Sequence, residues 1–261
     1  MSSTLRPPVD PVGTDFDAPT ITPDLASDDG ALPAAAQAQV FIVIAAFHEA
    51  PAIAAVVHGL RAAGWRHVVV VDDGSEDATS SEAAAAGALV LRHALNRGQG
   101  AALQTGIAFA LRRGAGVVVT FDADGQHRPE DLPGLIAPIL SGEVDVVLGS
   151  RFLGHQGAVP WRRRLLLRAA RRFQRWTSGL ALTDAHNGLR ALSRRMALQF
   201  NLRMDRMAHA SELVDQIAAS GLRWREVSVH VVYTDYARAK GQRGWAAARV
   251  LRDYLLGRLL G

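Results

Sequence analysis

No cysteine occurs among the 261 residues, which excludes disulfides and thiolate metal sites and leaves no sign of an oxidising compartment. Lysine is almost as scarce: Lys240 stands alone against 28 arginines. Long apolar runs are missing too. No uncharged stretch approaches the roughly 20 residues that cross a bilayer, and the N-terminus lacks a basic segment followed by an apolar one. Neither a membrane span nor a signal peptide is expected. These absences predict a cytoplasmic protein, able at most to lie on the inner face of a membrane.

Acidic residues are abundant only at the beginning. Residues 1–37 hold six aspartates (Asp10, Asp15, Asp17, Asp24, Asp28, Asp29) and one arginine, Arg6, a net of −5 that leaves +9 on the remainder of a chain whose formal charge is +4. This segment is rich in Pro, Ala, Ser and Asp and has no sustained periodicity, so it is expected to be a disordered acidic tail.

From residue 38 the pattern alternates. The runs "QVFIVIAAF" (39–47), "HVVVV" (67–71), "ALVLR" (88–92), "GVVVTF" (116–121) and "VDVVLGSR" (144–151) have strand length, and helical stretches separate them. That order predicts an α/β fold, a mostly parallel sheet with helices on both faces. Ligands of such sheets sit at the carboxyl ends of the strands, and the polar groups follow the strands: Glu49, Asp72, Asp73, Asn96, Asp122, Asp124 and Arg151. The second half differs. "PWRRRLLLRAARRFQRWTSGLAL" (160–182) reads as a basic amphipathic helix with seven arginines and no acid. "NGLRALSRRMALQF" (187–200) comes next. A helix at 209–221, a strand at 225–234 and an amphipathic C-terminal helix at 244–261 complete the chain.

The stretch "VVVTFDADGQHRPEDL" (117–132) ends an apolar strand in two carboxylates around one alanine. Side chains alternate along a strand, so Asp122 and Asp124 share a side if the extended path continues through Ala123. Two anionic oxygens there suit a hard divalent cation, Mg²⁺ or Mn²⁺, which characteristically keeps water and binds substrate phosphates as well.

Four motifs in order, "VVVVDDGSEDAT", "NRGQGAALQTG", "FDADGQHRPEDL" and "DVVLGSRF", resemble the family-2 glycosyltransferases of the GT-A fold. Within that family they are most similar to the branch of dolichol-phosphate mannose synthase and bacterial polyprenyl-phosphate glycosyltransferases. The resemblance spans about residues 38–245, with a helical acceptor-side region towards the C-terminus and residues 246–261 as a separate helix. It implies inverting, metal-dependent transfer of a sugar from a nucleotide sugar, UDP- or GDP-linked, to an acceptor. Asp72 and Asp73, with Glu49 and Asp122, are then expected to bind the nucleotide sugar. Asp124 would hold the metal with Gln126 completing its coordination. Arg151, Arg190 and Lys240 would meet the acceptor or the phosphates, and Asp122, Asp184, Arg151 and Lys240 would carry the reaction. Where the family has Tyr-Asn-Glu after the first strand this chain has Phe47-His48-Glu49, and Leu189 replaces the usual aromatic of the Asp-x-x-x-Gly-Phe-Arg segment.

Simpler readings stand beside these. Asp72, Asp73 and Gly74 end a strand as turn residues commonly do, Asp184 or Asn187 can cap a helix, and His127 fits packing or support of a neighbour better than metal ligation. "NRGQGAA" departs from G-x-G-x-x-G and follows the third strand, so it reads as a tight turn beside the nucleotide pocket. The arginine-rich helix fits an anionic membrane surface and equally a charged face packed through its leucines; no recognised nucleic-acid module accompanies it.

The acceptor decides the chemistry. A polyprenyl phosphate brings an ionised oxygen, whereas a soluble or saccharide hydroxyl needs a base, for which Asp184 is the candidate. A sugar-phosphate nucleotidyltransferase would place a glycine-rich loop where "FHEAPA" stands, and a non-catalytic binding subunit would lose the metal-site acids. The expected protein is therefore a glycosyltransferase. The sugar, the base and the oligomeric state stay open.

Overall fold

Strands that read as unbroken apolar runs do so because both of their faces are covered. The computed structural model describes residues 32–153, 180, 182–184, 187–202 and 209–232. In it the expected strands appear as β1 (Val40–Ala46), β2 (His67–Asp72), β3 (Leu89–Arg92), β4 (Val117–Asp122) and β5 (Val146–Ser150). Two more complete the sheet, β6 (Arg190–Ser193) and β7 (Trp224–Ser228), in the order β3-β2-β1-β4-β6-β5-β7. All neighbours run parallel except β6, which is antiparallel to both β4 and β5.

Alternation along β1 sorts its side chains between two cores. Val40, Ile42 and Ile44 meet Ile53, Val57 and Leu60 of α2 (Ala50–Ala62) and Leu132, Leu135 and Ile136 of α5 (Leu132–Leu140). Phe41 and Val43 face the opposite side, with Leu103, Ile107 and Ala110 of α4 (Gln99–Arg112). The same layer receives Met196 of α6 (Arg194–Gln199) and Leu213 and Ile217 of α7 (His209–Ser220). Each of these Val, Leu, Ile, Phe and Met side chains, fully buried, contributes about 1.5–3 kcal/mol. α3 (Thr79–Ala85) lies against α2 at the β3 end of the sheet.

The fold takes in residues ahead of the boundary expected at 38. Ala34–Gln37 forms one helical turn (α1), with Leu32 and Ala36 buried. The rest of the acidic segment, the basic helix expected at 160–182 apart from Leu180 and Leu182, the helix expected at 244–261 and Lys240 lie outside the described residues.

Parallel register brings the functional segments to one edge. Ala46 pairs with Asp72, and Ala45 with Asp122, so β1, β2 and β4 end together. The reversed strand β6 begins where its neighbours end: Arg190, its first residue, is in register with Thr120 of β4 and Leu148 of β5.

Helix α4 approaches the sheet through Gly106. A Cβ there would lie 2.3 Å from Val43 Cγ1 and 3.1 Å from Val71 Cγ2. Alanine in a helix interior ordinarily gains about 1 kcal/mol over glycine. Here the overlap, worth about 1–3 kcal/mol, is expected to win, so Gly106→Ala should lower the urea midpoint; an unchanged or higher midpoint would show that the helix can shift off the sheet at no cost.

Candidate active site

The first wall is built where β1 and β2 end. His48 adopts φ 55°, the left-handed region that Asn, Asp and His tolerate best among residues with a side chain. The family's asparagine and this chain's histidine therefore suit the same backbone. The next N–H groups find partners across the cleft edge: His48 N donates to Ser75 Oγ (3.0 Å) and Glu49 N to Thr79 Oγ1 (2.9 Å). The loop after β1 and the loop after β2 are thus one unit.

Asp72 and Asp73 are both buried, and their carboxylates are turned inward. Asp72 accepts from Ser75 N (2.9 Å) and from the Ser80 hydroxyl, with Arg92 Nε 3.8 Å away. Asp73 accepts from Arg97 N (3.0 Å), Gly98 N (2.7 Å) and His93 Nδ1 (2.7 Å). The "DDGS" and "NRGQG" motifs are accordingly joined: the second aspartate holds the glycine turn that opens α4. The carboxylates expected at the base and ribose are engaged in shaping this wall.

The acidic centre lies beside it. Asp122 ends β4 with a partly exposed side chain, Asp124 follows in the turn, and Gln126 N donates to Asp124 Oδ1 (3.1 Å). Burial raises the Asp124 carboxyl above the ordinary 3.8, and the charges of Asp122 and Glu49 raise it further. Asp124 thus stands beside two carboxylates that disfavour its charge. Among the described residues no three His, Asp or Glu side chains gather closely enough to cage an ion.

Asp122 itself is held. Its Oδ2 lies 2.8 Å from His127 Nε2, and its carboxylate rests on the backbone of Gly188, where a Cβ would come within 2.2 Å of both oxygens. Only glycine fits there, which gives the Gly of the Asp-x-x-x-Gly segment a physical reason.

Where β5 ends, Arg151 and Asp184 form a two-pronged pair, Nε to Oδ2 at 2.7 Å and Nη2 to Oδ1 at 2.9 Å, and Arg151 N adds a third bond to Oδ2 (3.1 Å). Burial alone would push the Asp184 carboxyl up, but the Arg151 hydrogen bonds and charge, helped by Asn187, bring it below 3.8. Arg190 differs from expectation. The anticipated anion contact is buried inside the sheet, where desolvation brings it down to about 10 against the opposing pull of Asp122 and Asp184. It is still charged at neutral pH and serves those two carboxylates as an internal counter-ion.

One participant went unnoticed in the sequence. Glu226 of β7 accepts from Thr183 N (2.8 Å), the Thr183 hydroxyl (2.9 Å) and Asp184 N (3.1 Å), and so holds the loop that presents Asp184. The signal was an alternation: Val227, Val229 and Val231 interleave with Glu226, Ser228 and His230. Each of the three polar residues fastens a loop at the carboxyl edge, Ser228 to Leu153 O and His230 to Asp131 (Nδ1–Oδ1 2.8 Å).

Comparison with known proteins identifies the family and the fold. The family model for "Glycosyl transferase family 2" matches residues 41–199. Protein MJ1222 of Methanocaldococcus jannaschii is 34% identical over 85% of this chain and 93% of its own length. The UDP-N-acetylglucosamine–dolichyl-phosphate N-acetylglucosaminyltransferase of Methanococcus voltae is 29% identical over 77% of this chain and 89% of its own. Among solved structures, glucosyl-3-phosphoglycerate synthase of Mycobacterium tuberculosis with Mg²⁺ and UDP superposes at TM-score 0.61, with 24% identity, covering 86% of this chain and 81% of the other. The fold is the GT-A fold of that enzyme.

Asp124 and Asp184 should respond oppositely to neutralisation. A raised carboxyl adds stability only below its unfolded value near 3.8 and loses it as pH rises through the folded value, so Asp124→Asn is expected to raise the urea midpoint at pH 7. A depressed carboxyl adds stability above 3.8 that vanishes as pH falls through its folded value, so Asp184→Asn should lower the midpoint at pH 7 and flatten the acid limb. Unfolding curves from pH 7 to pH 3 check both signs; equal shifts of the two variants would contradict the assigned environments.

Proposed function

The chain belongs to glycosyl transferase family 2, and we propose that within it the protein transfers a sugar, with inversion, from a nucleoside diphosphate sugar to the phosphate of a polyprenyl phosphate. The observation that carries this reading is the Arg151–Asp184 pair. A carboxylate gripped by both prongs of a guanidinium, with its pKa depressed, is a poor proton acceptor at neutral pH. The acceptor oxygen must therefore arrive ionised. A phosphate monoester does so, carrying about −1.5 to −2 charges at pH 7, whereas an alcohol does not. The dolichyl phosphate named for the Methanococcus voltae relative is an acceptor of this kind.

In the proposed reaction one phosphate oxygen forms a bond to the anomeric carbon from the face opposite the leaving group. The bond from that carbon to the diphosphate oxygen breaks, and its electron pair leaves with the nucleoside diphosphate; no proton moves. Asp122 orients the donor sugar, and the wall fastened by Asp72 and Asp73 lies on the nucleotide side with Glu49. Arg151, aimed by Asp184, receives the acceptor phosphate. Asp124, with Gln126, would hold Mg²⁺ or Mn²⁺, which when bound offsets charge building on the diphosphate. Lys240 follows eight residues after Val232, whose N–H donates to Gln126 O at 2.8 Å, so chain length alone lets it return to the diphosphate as a compact positive charge.

Incubating the protein with a panel of labelled UDP- and GDP-sugars tests the reading. Label is expected in the organic phase with a polyprenyl phosphate and a divalent cation, and not with the corresponding polyprenol. Equal labelling of the alcohol, or of 3-phosphoglycerate, would overturn the phosphate acceptor.

A lipid acceptor also calls for a surface that meets anionic membranes. No helix among the described residues is long and apolar enough to cross one, and residues 160–176 supply seven arginines with Trp161, Phe173 and Trp176. Binding to anionic vesicles is expected to weaken as salt shortens the Debye length from about 8 Å at physiological ionic strength. Reversing Arg168, Arg171 and Arg172 to glutamate should reduce vesicle binding and lipid transfer while nucleoside diphosphate affinity, measured by calorimetry, stays near wild type. Salt-insensitive binding would count against the assignment.

A further inference from the structure

His127 is placed with more care than a packing residue requires. Its side chain is almost completely buried, and its ring stands edge-on to Phe121 with centroids 5.5 Å apart. Its backbone bridges to Val231, and the adjoining Gln126 carbonyl accepts from Val232 N at 2.8 Å. The loop can therefore neither swing nor slide without breaking bonds to the segment after β7. From that fixed ring Nε2 reaches Asp122 Oδ2 at 2.8 Å. The other nitrogen, Nδ1, is buried and has no hydrogen-bond partner among the described residues.

We propose that His127 is a positioning residue that donates its Nε2–H to Asp122 and, with the Gly188 backbone on the other side, fixes the carboxylate in the orientation that meets the donor sugar. An ionised carboxylate only accepts, so a proton on Nε2 makes the contact a bond, and a bare nitrogen would make it a repulsion. Nδ1 faces nothing that could receive a second proton, so the buried orphan selects the Nε2–H tautomer. The floor is equally specific, since Gly188 leaves room for the carboxylate and a methyl group would not. Between a fixed donor above and a flat backbone below, Asp122 keeps one rotamer before any substrate arrives. Such preorganisation is what an electrostatic site needs. The inference rests on the reading of Asp122 as the donor-side carboxylate.

Two variants separate the hydrogen bond from the packing. His127→Phe keeps an aromatic ring against Phe121 and removes the donor; His127→Gln keeps an N–H within reach of Asp122 and removes the ring. With the full-length protein, a labelled nucleotide sugar and a polyprenyl phosphate, His127→Phe is expected to lower kcat/KM for the donor by about 10–100-fold, as loss of a supporting hydrogen bond at such sites does. The acceptor's KM should stay unmoved, and His127→Gln should recover most of the loss. A Phe variant as active as wild type, or a Gln variant no better than Phe, would overturn the proposal. The tautomer can be read without activity. Long-range ¹H–¹⁵N spectra of the wild-type protein, with the His127 signal assigned by its loss in either variant or by residue-specific labelling, should show the proton on Nε2, and a proton on Nδ1 instead would refute the arrangement. If wild type transfers no sugar at all, the proposed function fails while the spectra still judge His127.

Discussion

A guanidinium buried in a sheet needs anions beside it, because the desolvation cost of a lone charge is several kcal/mol, and Arg190 imposes that need on the whole carboxyl edge. It enters as the first residue of β6, between β4 and β5. Asp122 and Asp184 supply the counter-charge, one from the end of β4 and one from the loop before β6. Asp184 in turn fixes Arg151 at the end of β5. The result is a string of alternating charge, Asp122, Arg190, Asp184, Arg151, running from the end of β4 to the end of β5. The antiparallel insertion of β6 makes it possible, since a parallel strand there would bring its carboxyl end to this edge and its first residue to the other.

The carboxylates of this edge fall into two kinds. Asp72, Asp73 and Asp184 are saturated with internal donors and act as structural anions that shape turns and aim side chains. Asp124 has one backbone donor of its own and two anionic neighbours. The same residue type is fastened into the framework in one place and left beside other anions in the other, and the number of N–H groups aimed at each oxygen separates the two.

Much of this was legible in the sequence. Four of the five expected strands, β1, β2, β4 and β5, announce themselves because a strand covered on both faces needs apolar residues at every position. The edge strand β3 reads as an apolar run although it is largely uncovered. The Asp122–Asp124 pair is visible because it directly ends β4. β6 was not legible: four residues led by an arginine carry no period, and their strand character comes from two neighbours far away in the chain. Arg190 reads as an anion contact for the same reason, since charge on a short polar segment looks like surface without its flanking strands. The inward turn of Asp73 depends on N–H groups at Arg97 and Gly98, 24 and 25 residues on, and the pairing of Arg151 with Asp184 spans 33 residues; no local pattern encodes either. Glu226 could have been found, because a strand alternating valine with Glu, Ser and His has a polar face with work to do.

The bridge between His127 and Val231 and the bond from Val232 N to Gln126 O bear on how such enzymes can be recombined. They make the carboxylate loop and the chain that leaves β7 a single mechanical part, although about 100 residues of sequence separate them. A chimera that exchanges the C-terminal portion at the end of β7 would cut through that part and pair one enzyme's loop with another's strap. A junction placed after Val232 leaves the part intact, so C-terminal segments are portable between relatives only from that residue onward.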